Sequence, residues 1–330
     1  MNSVIIYTYF KSVSSDYNLY FFIENEIKYR VNIDYIIVVN GYEYNKLIKF
    51  PSLANLTVLF RGNIGYDFGG HNFALTHLQN NNKHYLYYFF MNSSVIGPIV
   101  AQPKQHWSTL FINKITDKVK LVSTSIVCLS KNDLGGGGPK IEGFFFMTDN
   151  IGLELLKNEK TIFCNHINKQ NAIINGEYGL SRCIFKHGYT IDCMLDKYKK
   201  IDWKNPNNHN LNNNLHPTRK NTYFNKSINP YEVIFHKWYW HNKELVNFNI
   251  INNFVKTKIS TINNNFYKNI YLQIQQLIMN INNFTINANS KLPTRRNLNI
   301  NNFVNSNLYK KLQKNKNLSI NLYRNNNLIR

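Results

Sequence analysis

Acidic residues are scarce in this sequence. It holds 18 Asp and Glu against 39 Lys and Arg in 330 residues, a formal net charge of +21, and no acid lies beyond Glu244. Cysteine is scarcer still. Cys128, Cys164, Cys183 and Cys193 stand far apart with no Cys-x-x-Cys pair, which argues against a structural zinc site and a dense disulfide framework and for a reducing compartment. Long apolar runs are also missing: none approaches the roughly 20 residues that span a bilayer. The opening MNSVIIYTYF lacks a basic stretch followed by a long apolar one, so the expectation is a soluble, cytoplasmic protein.

What is present is a globular share of apolar residues, 43%, with 15% aromatics. That excludes wholesale disorder. The basic excess invites a nucleic-acid reading, but twelve of the Lys and Arg sit in residues 251–330, where there is no acid and Asn fills roughly a quarter of the positions. Asn, Lys, Ile, Tyr and Phe share AT-rich codons. Compositional drift explains this basic, low-complexity tail without phosphate binding, so a nucleic-acid partner is not the expected one. A helix is still expected there, from the spacing of Phe266, Ile270, Leu277 and Ile278. The expected division is a domain over residues 1–250 and a partly helical tail over 251–330.

The body alternates strand-like and helical patterns. VIIYTYF (4–10), DYIIVVNG (34–41), LTVLFR (56–61) and HYLYYFFMN (84–92) are rich in β-branched and aromatic residues, with helical periodicity at 16–30 and about 72–79. Further strands are expected at 119–127, 141–149 and 189–195, and helices at about 150–157 and 176–186. The glycine run 135–138 and the polar stretch 205–221 read as loops, whereas NPYEVIFHKWYW (229–240) is apolar enough to require burial. Such alternation implies an α/β fold with a mostly parallel sheet, whose ligands sit at the carboxyl ends of the strands. The loops at 9–14, 40–44, 61–70 and 92–98 then line one edge.

The unusual residues gather on that edge. RGNIGYDFGGHNFAL (61–75) carries Gly62, Gly65, Gly69 and Gly70 between a strand and a helix. Its spacing is neither Gly-x-Gly-x-x-Gly nor a P-loop, so it serves equally as a tight turn or a phosphate cradle. Asp67 within it either bonds a sugar hydroxyl or caps the helix. Asn92, Ser93 and Ser94 end the fourth strand, either facing a ligand or closing an ST-turn. His166, His187 and His209 have no metal-ligand spacing. Trp107, Trp203, Trp238 and Trp240 suit a sugar face or ordinary packing.

Six segments, RGNIGYDFGGHNFAL, YLYYFFMNSSVIGPIV, VKLVSTSIVC, GFFFMTDNIGLELL, NGEYGLSRCIFKHGYTIDCML and NPYEVIFHK, follow one another in an order that resembles glycosyltransferases of algae, plants and large DNA viruses. These are similar to the bacterial rhamnan-synthesis F type, and the resemblance covers residues 4–237. It implies a GT-A-like, Rossmann-like nucleotide-sugar fold and transfer of a hexosyl or deoxyhexosyl group to a glycan or protein-linked hydroxyl. The donor would be bound at the strand ends by Tyr9, Arg61, Asn63, Gly65, Asp67, Gly69, Asn92, Ser93 and Ser94, with Lys237 of PYEVIFHK on the diphosphate.

In that family setting Glu177 of NGEYGLS matches a general base at a helix start, with Glu142 and Asp149 as alternatives and Asp67 as a second catalytic acid. The usual Asp-x-Asp that holds Mn2+ or Mg2+ is replaced by Asn92, Ser93 and Ser94. Asp67 and His236 are left as candidate metal ligands. Two other readings remain at this stage: a nucleic-acid-binding protein acting through its tail, and a catalytically degenerate sugar-nucleotide-binding protein, motivated by the missing Asp-x-Asp.

Overall fold

The computed structural model describes residues 2–42, 48–101, 105–240, 244–259, 272, 275 and 276. The helix expected through 266–278 lies almost wholly outside the described residues, as does the rest of the tail beyond 276. Seven strands form one sheet in the order β3-β2-β1-β4-β8-β5-β9, and β6 and β7 form a separate hairpin. The strands are β1 (Ser3–Phe10), β2 (Ile33–Asn40), β3 (Leu56–Arg61), β4 (Tyr87–Asn92), β5 (Val119–Ser123), β6 (Ile126–Leu129), β7 (Gly138–Ile141), β8 (Phe145–Asp149) and β9 (Thr190–Cys193). All neighbours in the sheet are parallel except those of β8, which runs against both β4 and β5. This is the mixed α/β, mostly parallel architecture that the alternation of segments implies.

Both faces of the sheet are covered, which explains why the strands read as unbroken apolar runs. On one face Val4, Ile6, Ile36, Val38, Phe90 and Phe146 join a core with Leu75 and Leu78 of α2 (Tyr66–Asn80). On the other, Tyr7 and Tyr35 meet Phe22 of α1 (Val13–Asn25), with ring centroids 5.0 and 6.5 Å apart. The N-cap of α1 is Ser12, whose hydroxyl accepts from Ser15 N–H at 3.1 Å; a cap of this kind is worth about 1 kcal/mol.

The remaining helices are α3 (Ser108–Ile112), α4 (Asn150–Asn158), α5 (Lys169–Asn171), α6 (Tyr178–Lys186), α7 (Pro230–Val233) and α8 (Phe248–Ile259), with a π-helical turn, Ala172–Glu177, joining α5 to α6. Helix α8 crosses residue 250 and buries Phe248, Ile251 and Val255. Among the described residues no helix is long and apolar enough to cross a membrane.

Several segments depart from the expectations. The helix expected from residue 72 begins at Tyr66, so Asp67, Gly69 and Gly70 lie in its first turns. Glycine is a poor helix former, but these positions demand it. A Cβ on Gly70 would fall 2.5 Å from Thr8 Cγ2, and one on Gly69 2.6 Å from Asn165 Oδ1. Gly65 caps the helix at φ +76°, and a Cβ there would meet the Asn165 backbone at 2.5 Å. Gly65→Ala is therefore expected to combine a left-handed penalty with overpacking, a loss of about 2–4 kcal/mol that urea unfolding measures directly.

The single strands expected at 119–127 and 141–149 are each broken in two. The chain turns at Thr124–Ser125 and at Glu142–Phe144, so that β6 and β7 leave the sheet as a hairpin. Continuous apolarity hid both breaks. The stretch 205–221 packs as well. Asn212, Asn213 and Asn214 take positive φ, which Asn tolerates better than most residues. Asn212 is buried, bonding Leu215 O and Phe224 N–H, and Leu211 packs against the core. Within the glycine run Gly135 is held close, since a Cβ there would lie 2.1 Å from the Tyr178 ring, whereas Gly136 faces open space.

Candidate functional site

The chain leaves β1 for β2 and then β3, and returns to place β4 on the other side of β1. This is a topological switch point, where a crevice opens beyond the carboxyl ends of the strands. Thr8 and Asn92 are register partners there, on the face covered by α2. Thr8 Oγ1 and His71 Nδ1 are 3.0 Å apart. Burial pushes His71 down to about 3, so it stays a neutral packing group.

Asp67 stands in the first turn of α2, where the helix dipole favours a carboxylate. Asn92 Nδ2 donates to Asp67 Oδ2 at 2.7 Å, and Asn92 Oδ1 accepts from Ser94 N–H and Ser94 Oγ at 2.9 and 2.6 Å. The neighbouring Phe68 anchors the turn by stacking on Phe146, 6.2 Å between centroids. Gly65 and Tyr66, at φ +76° and +57°, hold Asp67 just after two left-handed residues, the kind of strain that collects at sites. Burial raises the Asp67 carboxyl above its ordinary value, and the Asn92 bond and Lys237 charge oppose this.

Lys237 reaches the same crevice through a second device. Beyond β4 the backbone pairs with the segment after α7: Ile96 N–H donates to His236 O at 3.0 Å and His236 N–H to Ile96 O at 2.8 Å. Gly97 permits the contact, since a Cβ would strike the Phe235 ring at 2.5 Å. Ile234, at φ +66°, makes a tight three-residue turn in which Phe235 N–H donates to Val233 O. The Lys237 ammonium lies over Trp240 at 4.1 Å and Phe144 at 5.2 Å from the ring centroids. Among the described residues it has no carboxylate within ion-pair distance. Burial lowers it, while Glu177, Glu142 and Asp67 nearby favour its charge.

Glu177 ends the π-helical turn and caps α6. Gly176 lets this turn close on α2, because a Cβ would fall 2.7 Å from the Phe68 ring. The Gly143 backbone favours the ionised carboxylate, and Glu177 packs tightly on Gly143, where a Cβ would fall 2.8 Å from Glu177 Cγ. Burial raises Glu177 against that backbone and against Lys237. Glu142 is the opposite case. It is 2% exposed and accepts from Ser125 Oγ at 2.5 Å and Thr218 Oγ1 at 2.8 Å, with His216 Nδ1 at 3.4 Å. Burial pushes it up, but these partners outweigh burial and hold it below the ordinary range. Two neighbouring carboxyls are thus pushed apart, Glu177 upward and Glu142 downward.

The structure thus brings Asp67, Asn92, Ser94, Glu177 and Lys237 together with Glu142, the alternative base of the sequence reading, and adds His216, Thr218 and Gly143. It ties other expected site residues elsewhere. The Tyr9 hydroxyl donates to Asp16 and its ring is fully buried. Arg61 Nη2 donates to Asn165 Oδ1 at 2.8 Å, and Gly65 and Gly69 close on the same Asn165. These three hold the loop together, the tight-turn reading of the glycines. Ser93 is buried, its hydroxyl near Phe10 N–H at 3.4 Å and its carbonyl accepting from Asn18. Asn63 is exposed at the rim.

Asp149 caps α4 and pairs with Lys120 at 2.8 Å, so it is structural. His166 and His209 hydrogen-bond to backbone carbonyls and His187 lies 2.9 Å from Cys183 O, each a packing role. Trp107, Trp203 and Trp238 are buried, and Trp240 carries Lys237.

The residues do not fit a metal cage. One oxygen of Asp67 is taken by Asn92, and Asn92 Oδ1 by Ser94. His236 is 1% exposed, and its Nε2 lies 3.4 Å from Asn247 Nδ2. Among the described residues no group of three or more His, Cys, Asp or Glu is placed to hold a metal ion.

Around the rim, Phe10, Tyr42, Ile64 and Tyr66 are exposed at the ends of β1, β2 and β3. A flat aromatic ligand would find a face there.

No family profile matches the chain. No curated protein matches it either. Among solved structures it is similar to a mannosyltransferase from Pyrobaculum calidifontis, solved in complex with GDP-mannose and Mn2+, at 14% identity and a TM-score of 0.37. The match covers 59% of this chain and 54% of that one, about half its length.

Proposed function

We propose that the crevice binds a nucleotide sugar and transfers its sugar to a hydroxyl of a glycan or protein-linked acceptor, as a GT-A-like glycosyltransferase. The observation that carries this reading is Lys237: a cation without an ion-pair partner among the described residues, at the strand ends, within electrostatic reach of Asp67 and Glu177. A site for an anionic leaving group beside a carboxyl of raised pKa is what glycosyl transfer from a diphosphate needs. The ordered segments from RGNIGYDFGGHNFAL to NPYEVIFHK support the same family, and the exposed rings of Phe10, Tyr42 and Tyr66 suit a nucleobase.

In this mechanism the bond from the anomeric carbon to the diphosphate oxygen breaks as the acceptor oxygen bonds to that carbon. Lys237 stabilises the charge that gathers on the departing diphosphate. Glu177 takes the acceptor's proton, which requires its ionised form. Asp67, oriented by Asn92, bonds a hydroxyl of the donor. The test is transfer and hydrolysis with a panel of hexosyl and deoxyhexosyl nucleotides, run with EDTA and with Mn2+ or Mg2+; product from at least one donor supports the reading, and none from any donor sinks it.

A finer check is Gly143→Ala. The backbone at Gly143 has no positive φ, so the added methyl mainly displaces Glu177. A shift of about 1 Å costs up to about 10²-fold in rate. The expected result is a fall in kcat with little change in unfolding midpoint.

A further inference from the structure

We propose that His216, held by the buried carboxylate of Glu142, is a further anion-binding residue of this crevice, offering Nε2–H to the diphosphate beside Lys237. This rests on the nucleotide-sugar reading and names a residue that reading does not use. His216 Nδ1 faces Glu142 at 3.4 Å, and 41% of the His216 side chain is exposed. Its Nε2 has no hydrogen-bond partner among the described residues. Glu142 itself is sealed, 2% exposed, with bonds from Ser125 and Thr218. Its remaining role is to fix the imidazole and hold its charge, as a carboxylate behind a histidine does.

The groups that face His216 are Glu142 from the β7–β8 turn, Glu177 from the π-helical turn, and Lys237 from the segment after α7. Burial lowers His216, but the Glu142 bond and charge and the Glu177 charge outweigh burial and Lys237, so it is raised. Three residues on, Arg219 is neutralised by Glu244 at 2.6 Å and stacks on the Trp240 ring that also carries Lys237. Lys237 and the Nε2 edge of His216 are left to meet an anion, with Lys169 a further cation within electrostatic reach of Lys237.

Because Nδ1–H is committed to Glu142, the neutral imidazole has only a lone pair on Nε2. It can donate to a phosphate oxygen only when protonated. Anion affinity must then fall as pH rises through the His216 pKa, by up to about tenfold per unit for one linked proton.

The test uses the full chain labelled in histidine, with inorganic pyrophosphate and then UDP and GDP as probes, read by calorimetry and by the His216 Cε1–H resonance across pH. The expected result is a His216 titration above about 6.5 that pyrophosphate moves upward. Affinity should fall above it, and His216→Asn should bind about tenfold or more weakly below it with no pH break. Thr218→Val, which removes one support of Glu142, should shift the break without removing it. An unmoved His216 resonance, or His216→Asn binding like the wild type at every pH, overturns the proposal, as does affinity that rises with pH. A pyrophosphate response at His216 with no sugar transferred from any donor would sink the transferase reading and leave the anion site standing. Transfer with a pH-independent His216→Asn binding curve matching wild type would do the reverse.

Discussion

Glu177→Gln is expected to lower sugar transfer by about 10²–10⁴-fold, the usual worth of a positioned general base, with the donor KM nearly unchanged. Gln has the same shape and can still accept from the Gly143 backbone, so the loss isolates proton transfer. The pH profile adds a second signature. Burial raises Glu177, so the wild-type rate should climb through a pKa above the ordinary carboxylate range, and the variant should lose that limb.

Stability moves the other way. A carboxyl whose folded pKa is raised favours the fold fully below its unfolded pKa, and that advantage is lost as pH rises through the folded value. Glu177→Gln at neutral pH should therefore be at least as stable as the wild type. Thermal unfolding at pH 7 and kcat across pH, measured on one preparation, check both halves.

Lys237→Met is the second large effect. Met keeps an apolar stem against Trp240 and Phe144 and deletes the ammonium that faces the leaving group. Removing one such electrostatic donor typically costs about 10²–10³-fold in rate, and here nucleoside diphosphate affinity should fall as well. The variant also couples to Glu177. Lys237 lowers that carboxyl, so without it the rising limb of the residual activity should shift to higher pH. Kinetics and diphosphate binding across pH measure both effects.

Much of the fold was legible because the physics was local. β-branched and aromatic runs mark β1 to β4, and the alternation of strands and helices alone puts Asp67, Asn92 and Ser94 on one edge. Other features depended on contacts distant in sequence. Gly69 and Gly70 read as loop, and only Asn165 and Thr8, which leave no room for a Cβ, explain them inside a helix. Tyr9 and Arg61 lie at the ends of the right strands, yet Asp16 and Asn165 claim their polar atoms.

Glu142 is a candidate base from the sequence, but its pairing with His216 is hidden for a related reason. They sit 74 residues apart, one inside an apolar run and the other in a polar stretch that the left-handed asparagines fold back onto the hairpin. The one local hint was Gly143, a glycine directly after an acid in an otherwise strand-like run.

A crystal structure of the full chain with UDP or GDP decides whether the crevice around Lys237 is the nucleoside diphosphate site we propose. The expected result is phosphate oxygens within hydrogen-bond distance of Lys237 Nζ and His216 Nε2, with the base against Phe10, Tyr42 or Tyr66. A nucleotide bound anywhere else on the chain, or phosphates out of reach of Lys237, would contradict it.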